Sequence, residues 1–202
     1  MRAAVERRLG QSPEAPHAPP AIPDHVLLHR IGRGAYGEVW LARNALGTLR
    51  AVKVVYRAHF EDEHPYEREF RGILKYEPIS RTHEGLVQVL HVGRNDPAGC
   101  FYYVMEVADE ANAECGTWNA ESPAASPSVP RSALRAPHSF VPRTLRSELG
   151  QHQRLPPVEA AQLTLRLAGG LAHLHSHGLV HRDIKPSNVI FVNGRPSSQT
   201  LD

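Results

Sequence analysis

The sequence predicts an α+β fold with two lobes, and three observations carry that prediction. Five short segments rich in Val, Leu, Ile and Tyr are separated by turn residues, which is typical of strands in one sheet. A single helix-like segment interrupts them, between the third and the fourth strand. Beyond residue 142 the apolar period changes to that of a long amphipathic helix, so a helical part follows the sheet.

The strands are predicted from period-2 apolar runs bounded by residues such as Asn44, Gly47, Asn95 and Gly99. The five runs are VLLHRIG at 26–32, EVWLAR at 38–43, TLRAVKVVY at 48–56, GLVQVLHVG at 85–93 and CFYYVMEVA at 100–108.

Two segments have helical spacing. Pro65 suits the first turn of PYEREFRGILKYEPIS at 65–80, where Phe70, Ile73 and Leu74 recur at helical spacing. Pro157 opens PVEAAQLTLRLAGGLAHLHSHG, and Gly178 is a typical C-terminal stop. Its apolar face is predicted to comprise Ala160, Leu163, Leu167, Leu171 and Leu174.

Proline and small residues divide the chain into four parts. Residues 1–24 contain five prolines after residue 12, so we expect a disordered tail. Residues 25–109 form the strand lobe and end in a connection, VMEVAD. Residues 110–142 are rich in Ala, Ser, Glu and Pro without a period, which predicts a disordered insertion. Residues 143–202 begin the helical lobe.

Composition excludes several classes of protein. A net charge of +2 over 202 residues is too small to favour nucleic acid or an anionic membrane as a partner. Cys100 and Cys115 lack a CxxC spacing, so we expect a reducing, cytoplasmic setting and no structural zinc. No run approaches the ~18 apolar residues of a membrane span, and the N-terminus lacks the apolar core of a secretory signal.

The stretch from Gly32 to Gly37, GRGAYG, matches GxGxxG, which by itself is a weak signal. In a dinucleotide-binding fold its last glycine would open a helix, whereas EVWLAR alternates as a strand does. A Walker P-loop is excluded because no GK[ST] follows. A hairpin lid whose backbone approaches phosphate is therefore favoured, with a turn that binds nothing as the alternative.

Lys53 lies in the predicted third strand, where period 2 places it on the same face as Ala51. An inward ammonium needs counter-charges, which phosphate oxygens and a carboxylate of the nearby helix would supply. Glu69 is the predicted carboxylate and Glu67 the alternative. The competing interpretation places Lys53 on an exposed sheet edge.

The octapeptide HRDIKPSN at 181–188 follows the long helix and precedes the apolar run 189–192. Together with the glycine motif, the AVK strand and the helix glutamate, in this order, it resembles the eukaryotic-type (Hanks-type) serine/threonine protein kinases. Lys185, two residues beyond Asp183, is similar to the serine/threonine branch. The resemblance covers about residues 25–202 without the insertion. It implies a kinase-like two-lobe fold with a complete five-stranded N-lobe and the beginning of the C-lobe.

The resemblance also implies roles for the matched residues. Asp183 would accept the proton of the substrate hydroxyl, and Lys185 would neutralise charge on the transferred phosphoryl group. Lys53 would hold the α- and β-phosphates and pair with Glu69. The implied nucleotide-binding residues are Gly32, Gly34, Gly37, Val39, Ala51, Lys53, the gatekeeper Met105, and Glu106 and Ala108 of the hinge.

The resemblance implies Mg²⁺ held by Asn188 and by a second aspartate a dozen or so residues later. Asp202 is the aspartate available there, and the alternative is that sequence from Ser197 onward has diverged and the ligand is absent. His173 and His177, at i and i+4, form a weaker metal candidate without a completing ligand.

Two function classes follow from these motifs. The first is an ATP-dependent kinase that phosphorylates a Ser or Thr hydroxyl of a protein, of which this chain is an N-terminal part, inactive alone because the activation segment and later helices are missing. The second is a non-catalytic module that binds nucleotide or a partner. The kinase class is favoured because Lys53, Asp183 and Asn188 occur together.

Overall fold

The computed structural model describes residues 19–111 and 140–198. Its strands and helices, in chain order, are β1 (His25–Arg33), β2 (Gly37–Asn44), β3 (Leu49–Tyr56), α1 (Glu63–Ser80), β4 (Val89–Asn95), β5 (Cys100–Met105), α2 (Leu145–His152), α3 (Pro157–Ser176), β6 (Val189–Val192) and β7 (Arg195–Ser198).

The first lobe is one antiparallel sheet in the order β1-β2-β3-β5-β4, with α1 between β3 and β4 in the chain. The predicted α+β class, with five strands and one helix, is confirmed. Because β3 is the middle strand, the interpretation that put Lys53 on a sheet edge is wrong.

The two faces of the sheet pack separately, as the period of β3 predicts. Ala51 and Val55 face α1, where they join a core that includes Ile73. Val52 and Val54 face the other side, in a smaller cluster. The six residues of β5 are all buried because alternate side chains enter the two cores. The smaller cluster comprises Ile22, Ala42, Val52, Val54, Cys100, Tyr102 and Val104.

Element boundaries differ from the prediction at three places. α1 begins at Glu63, before Pro65. β5 ends at Met105, and β4 begins only at Val89, so Gly85–Gln88 is not strand. Leu86 and Val87 in that segment are each 1% exposed. Their apolar pattern reflects burial against α3 and a single bridge from Leu86 to Ser198 of β7, not a regular strand.

Three further elements were not predicted: α2, β7, and β6, for which the sequence showed only an apolar run. α2 begins with a capping box in which Thr144 Oγ1 accepts from the Ser147 N–H and Ser147 Oγ accepts from the Thr144 N–H. β7 pairs with β6 and then reaches the first lobe, where the Ser198 N–H donates to the Gly85 carbonyl at 2.9 Å. The second lobe therefore carries a β-hairpin as well as helices.

α3 packs closely on the segment that joins α1 to β4. A Cβ atom on Gly85 would lie 2.8 Å from the Arg166 carbonyl oxygen, so glycine permits the approach. Leu174 is fully buried and belongs to the core of the first lobe. Of the predicted apolar face of α3, the structure places Leu174 in this core, whereas the close approach to the segment involves Arg166 and Gly170, which lie outside that face.

Residues at the two ends of the predicted insertion pair with each other. The Ala111 N–H donates to the Val141 carbonyl at 2.8 Å, and Glu110 and Pro142 form an antiparallel bridge. Asp109 accepts from the N–H groups of Asn193 and Gly194 at 2.8 and 2.7 Å, which fixes the β6–β7 turn. The predicted disorder at 110–142 otherwise falls on residues 112–139, outside the described residues.

The predicted tail also falls largely outside the described residues, which begin at 19. Ile22 is 5% exposed and packs in the outer cluster, so the folded lobe begins before the predicted boundary at residue 25. Among the helices of residues 19–111 and 140–198, none is long and apolar enough to cross a membrane.

His173 of α3 links the lobes and should make stability depend on pH. Its Nε2 lies 2.7 Å from Thr82 Oγ1, and its ring contacts those of His83 and His177. Partial burial, and then the neighbouring imidazoles, lower the pKa of His173. The unfolded chain therefore binds the proton more readily, and stability should fall as pH drops below about 6.5.

Denaturant unfolding at pH 7.5 and pH 5.5 measures this effect. His173→Gln should shrink the loss of stability between the two pH values, whereas His175→Gln, on an exposed position of the same helix, should leave it unchanged. If His173→Gln lost as much stability between the two pH values as wild type does, the assignment to His173 would be contradicted.

Candidate functional site

A cavity of about 300 Å³ lies beneath the β1–β2 hairpin and between the two lobes. It takes residues from both lobes, and its walls are mostly apolar near the hinge. The lining residues are Ile31, Gly32, Arg33, Gly34, Val39, Ala51, Lys53, Tyr76, Val87, Val89, Tyr103, Met105, Ala108, Pro142, Thr144, Lys185, Ser187, Asn188 and Ile190.

The sheet register sets which side chains form the roof and the back wall. Lys53 lies directly opposite Val39 on β2 and Tyr103 on β5, and Ala51 lies opposite Met105. Directly opposed residues of an antiparallel pair point to the same face. The register therefore places these five side chains on the cavity side of the sheet.

Lys53 is a cation of the upper wall. Its Nζ lies 5.9 Å from the centre of the Tyr103 ring, within the range of a cation–π contact. Glu69 stands three residues after Tyr66 and four before Ile73, both buried, so it shares the face of α1 that packs on the sheet. Glu69 itself does not line the cavity.

Glu67, the alternative partner for Lys53, is bound elsewhere. Arg94 of β4 forms a bidentate pair with its carboxylate, with one N–O distance of 3.4 Å. The hydrogen bond from Arg94 lowers the pKa of Glu67. This pairing favours Glu69 over Glu67 as the carboxylate for Lys53.

The glycine motif forms the turn of the β1–β2 hairpin. Gly37 opens a strand, so the dinucleotide-binding interpretation is wrong. The Gly34 N–H donates to the Gly37 carbonyl at 2.9 Å across the turn. Gly37 does not line the cavity, and a Cβ there would lie 2.1 Å from the Val54 carbonyl oxygen. Packing against β3 thus requires this glycine.

The hinge residues take different positions. Met105 is 3% and Ala108 is 6% exposed, and both line the cavity. Glu106 does not, because it faces the residue before β4: its N–H donates to the Gln88 carbonyl at 3.1 Å, and its carboxylate accepts from the Gln88 N–H at 3.2 Å.

The lower wall is the segment that follows α3. Arg182 has a φ of 65°, a left-handed conformation that costs a non-glycine residue about 1–3 kcal/mol. The turn is closed by the Asp183 N–H, which donates to the His181 carbonyl at 2.9 Å. His181 is 2% exposed and anchors the segment in the core.

Asp183 is held by two neighbours that themselves line the cavity. Lys185 Nζ forms an ion pair with Asp183 Oδ2. Asn188 Nδ2 donates to the same carboxylate oxygen at 2.7 Å and to the Asp183 carbonyl at 3.0 Å. The carboxylate therefore has a fixed direction while 27% of its side chain remains exposed.

Sequence reasoning missed much of the apolar wall. Tyr103 could have been found from its spacing of two residues before Met105 on one strand. Tyr76, whose hydroxyl donates to the Val87 carbonyl at 2.9 Å, and Thr144, which follows the insertion, gave no such signal. Asp202, the predicted second metal ligand, lies outside the described residues.

The protein kinase domain family matches residues 138–197, which include the segment around Asp183. The kinase TOS3 of Saccharomyces cerevisiae, named a serine/threonine-protein kinase, is 29% identical to 81% of the chain, so this similarity reaches well beyond the family match. The family match and this similarity support a Hanks-type serine/threonine protein kinase.

Other proteins similar to this chain carry the same description. Serine/threonine-protein kinase AfsK of Streptomyces griseus is 28% identical over 180 residues, 89% of the chain. Serine/threonine-protein kinase GRIK2 of Arabidopsis thaliana is 27% identical over 174 residues, 84% of the chain. The chain spans 26% of TOS3, 18% of AfsK and 35% of GRIK2.

Proposed function

We propose that the cavity binds Mg·ATP and that the protein transfers its γ-phosphoryl group to a Ser or Thr hydroxyl of a protein substrate. The observation that carries the proposal is the placing of Lys53 on one wall and of Lys185 and Asn188, both bonded to Asp183, on the other. Phosphoryl transfer depends mainly on positioning and on neutralising charge, and these groups supply both.

The apolar end of the cavity fits an adenine ring. Val39 and Ala51 cover it from the sheet, and Ile190 covers it from the second lobe. Met105 and Ala108 bound the cavity at the hinge, whose backbone would bind the base edge. The phosphates would then lie beneath Gly32–Gly34, within reach of Lys53.

Asn188 fits the part of a magnesium ligand. Its Nδ2 is committed to Asp183, so the amide oxygen is the group it offers to the cavity. Mg²⁺ prefers such hard oxygen ligands, and when bound it would neutralise charge on the phosphates. Asp183 would accept the proton of the attacking hydroxyl, and Lys185 would stabilise the transferred phosphoryl group.

Lys53→Met tests the nucleotide assignment. The change removes the cation and keeps most of the side-chain volume, so the Kd for Mg·ATP should rise about tenfold or more. Calorimetric or fluorescence titration measures it. Lys75→Met is the matched control, because Lys75 is exposed on α1 and does not line the cavity. Equal affinities of wild type and Lys53→Met would show that the phosphates do not lie against Lys53.

A further inference from the structure

The tip of the β1–β2 hairpin is held by a side chain as well as by its backbone. Tyr36 stands at the tip, with its carbonyl accepting from the Tyr56 N–H at 3.2 Å and its side chain 38% exposed. Its ring stacks on Phe60, with the two ring centres 4.4 Å apart and the planes within 10° of parallel. This stack joins the hairpin tip to the segment between β3 and α1.

Phe60 is fixed from behind. Its ring meets Tyr66 of α1 edge-on, with centres 5.6 Å apart and the planes at 71°. Tyr66 is 2% exposed and packs against Phe101 of β5 at 5.2 Å. The Phe60 N–H also donates to the Arg57 carbonyl at 3.0 Å. A buried core thus supports Phe60, and Phe60 supports the tip of the hairpin.

We infer that Phe60 is a positioning residue for the phosphate-facing hairpin, acting through its stack on Tyr36. The inference rests on the proposed nucleotide function. Neither ring lines the cavity, whereas Gly32, Arg33 and Gly34 do, so the stack acts through the position of the hairpin backbone. The helix that supports the stack, α1, also carries Glu69, so one element positions both the hairpin and the carboxylate proposed for Lys53.

The stack should therefore matter for phosphates and not for the base. Backbone N–H groups bind phosphate strongly only when they are held in place, because fixing a loose loop lowers affinity. Adenine lies at the apolar end of the cavity, away from the hairpin tip. Loss of the stack should weaken ATP binding about threefold to tenfold and leave adenosine binding unchanged.

Phe60→Leu and Tyr36→Leu remove the stack from its two sides and keep an apolar side chain. Each single variant should raise the Kd for ATP about threefold to tenfold. The double variant should raise it no further than either single variant, since both remove the same contact. Phe60→Tyr keeps a ring and should bind ATP within about twofold of wild type. His59→Ala is the matched control, because His59 contacts Tyr56 instead.

Hydrogen exchange without nucleotide tests by itself whether the Phe60–Tyr36 stack holds the hairpin in place. The Gly34 N–H is bonded across the turn, and Phe60→Leu should speed its exchange about threefold to tenfold. ATP affinity at the wild-type value in Phe60→Leu, equal losses for ATP and adenosine, or unchanged exchange would each overturn the inference. If the wild-type protein binds no ATP, the proposed function fails. The exchange result then still supports or overturns the positioning of the hairpin by Phe60.

Discussion

Asp183→Asn should lower the rate of phosphoryl transfer about 10²–10⁴-fold, the range expected for loss of a general base. Asparagine keeps the size and the hydrogen bonding of the side chain, so Asn188 and Lys185 retain a partner at this position. What is lost is the carboxylate that accepts the proton of the substrate hydroxyl. ATP affinity should change little, because Asp183 does not line the cavity.

Since this chain is expected to be inactive alone, transfer of ³²P to a generic basic protein is measured with a form extended through the activation segment and later helices, and ATP titration measures the affinity. Asp96→Asn is the matched control: Asp96 has a 79% exposed side chain in the β4–β5 turn, and its replacement should leave the rate unchanged. A rate in Asp183→Asn equal to that of wild type would remove Asp183 from the mechanism. ATP binding without transfer by the extended wild-type protein would favour the non-catalytic module instead.

Gly37→Ala should destabilise the fold by about 2–4 kcal/mol, a large effect for adding one methyl group. The new Cβ would lie 2.1 Å from the Val54 carbonyl oxygen and 3.1 Å from the Val55 Cα. Both are backbone atoms of β3, so the β2–β3 pairing must shift. Because Lys53 lies two residues from Val55 on β3, ATP affinity should fall as well.

Gly72→Ala gives the opposite expectation and serves as the control. Nothing lies within 4 Å of a Cβ built on Gly72, and the residue is inside α1. Alanine should stabilise the helix by about 0.5–1 kcal/mol. Urea unfolding of both variants and of wild type measures the change in the free energy of unfolding that each substitution causes. A Gly37→Ala protein as stable as wild type would refute the close contact with β3.

The sheet could be predicted because its strands are marked by their own residues. Period-2 apolar runs and glycine turns fix β1, β2, β3 and β5 locally, and the spacing of Phe70 and Ile73 fixes α1. β7 has no such signal: RPSS has low strand propensity and pairs only because β6 and Gly85 offer partners. α2 is eight residues long, and its signal is mainly the cap at Thr144.

The charged site residues were accessible to sequence reasoning, and the apolar walls were not. Lys53, Asp183 and Asn188 fall in motifs whose spacing is specific. Tyr103 and Pro142 line the cavity through strand register and through contacts across the insertion, which depend on the folded arrangement. The carboxylate for Lys53 stayed ambiguous for the same reason, since the pairing of Glu67 with Arg94 joins different elements.

The contacts that join β7 to the first lobe bear on how the fold tolerates an insertion. The Ser198–Gly85 hydrogen bond closes a loop of 113 residues that contains the insertion, and the Asp109–Asn193 contact closes one of 84 residues. The entropy of loop closure grows only with the logarithm of loop length. Residues 112–139 account for 28 of these 113 residues, and they raise the free energy of loop closure by roughly 0.3 kcal/mol. Added chain between residues 111 and 140 is nearly neutral for folding, provided that its ends stay paired.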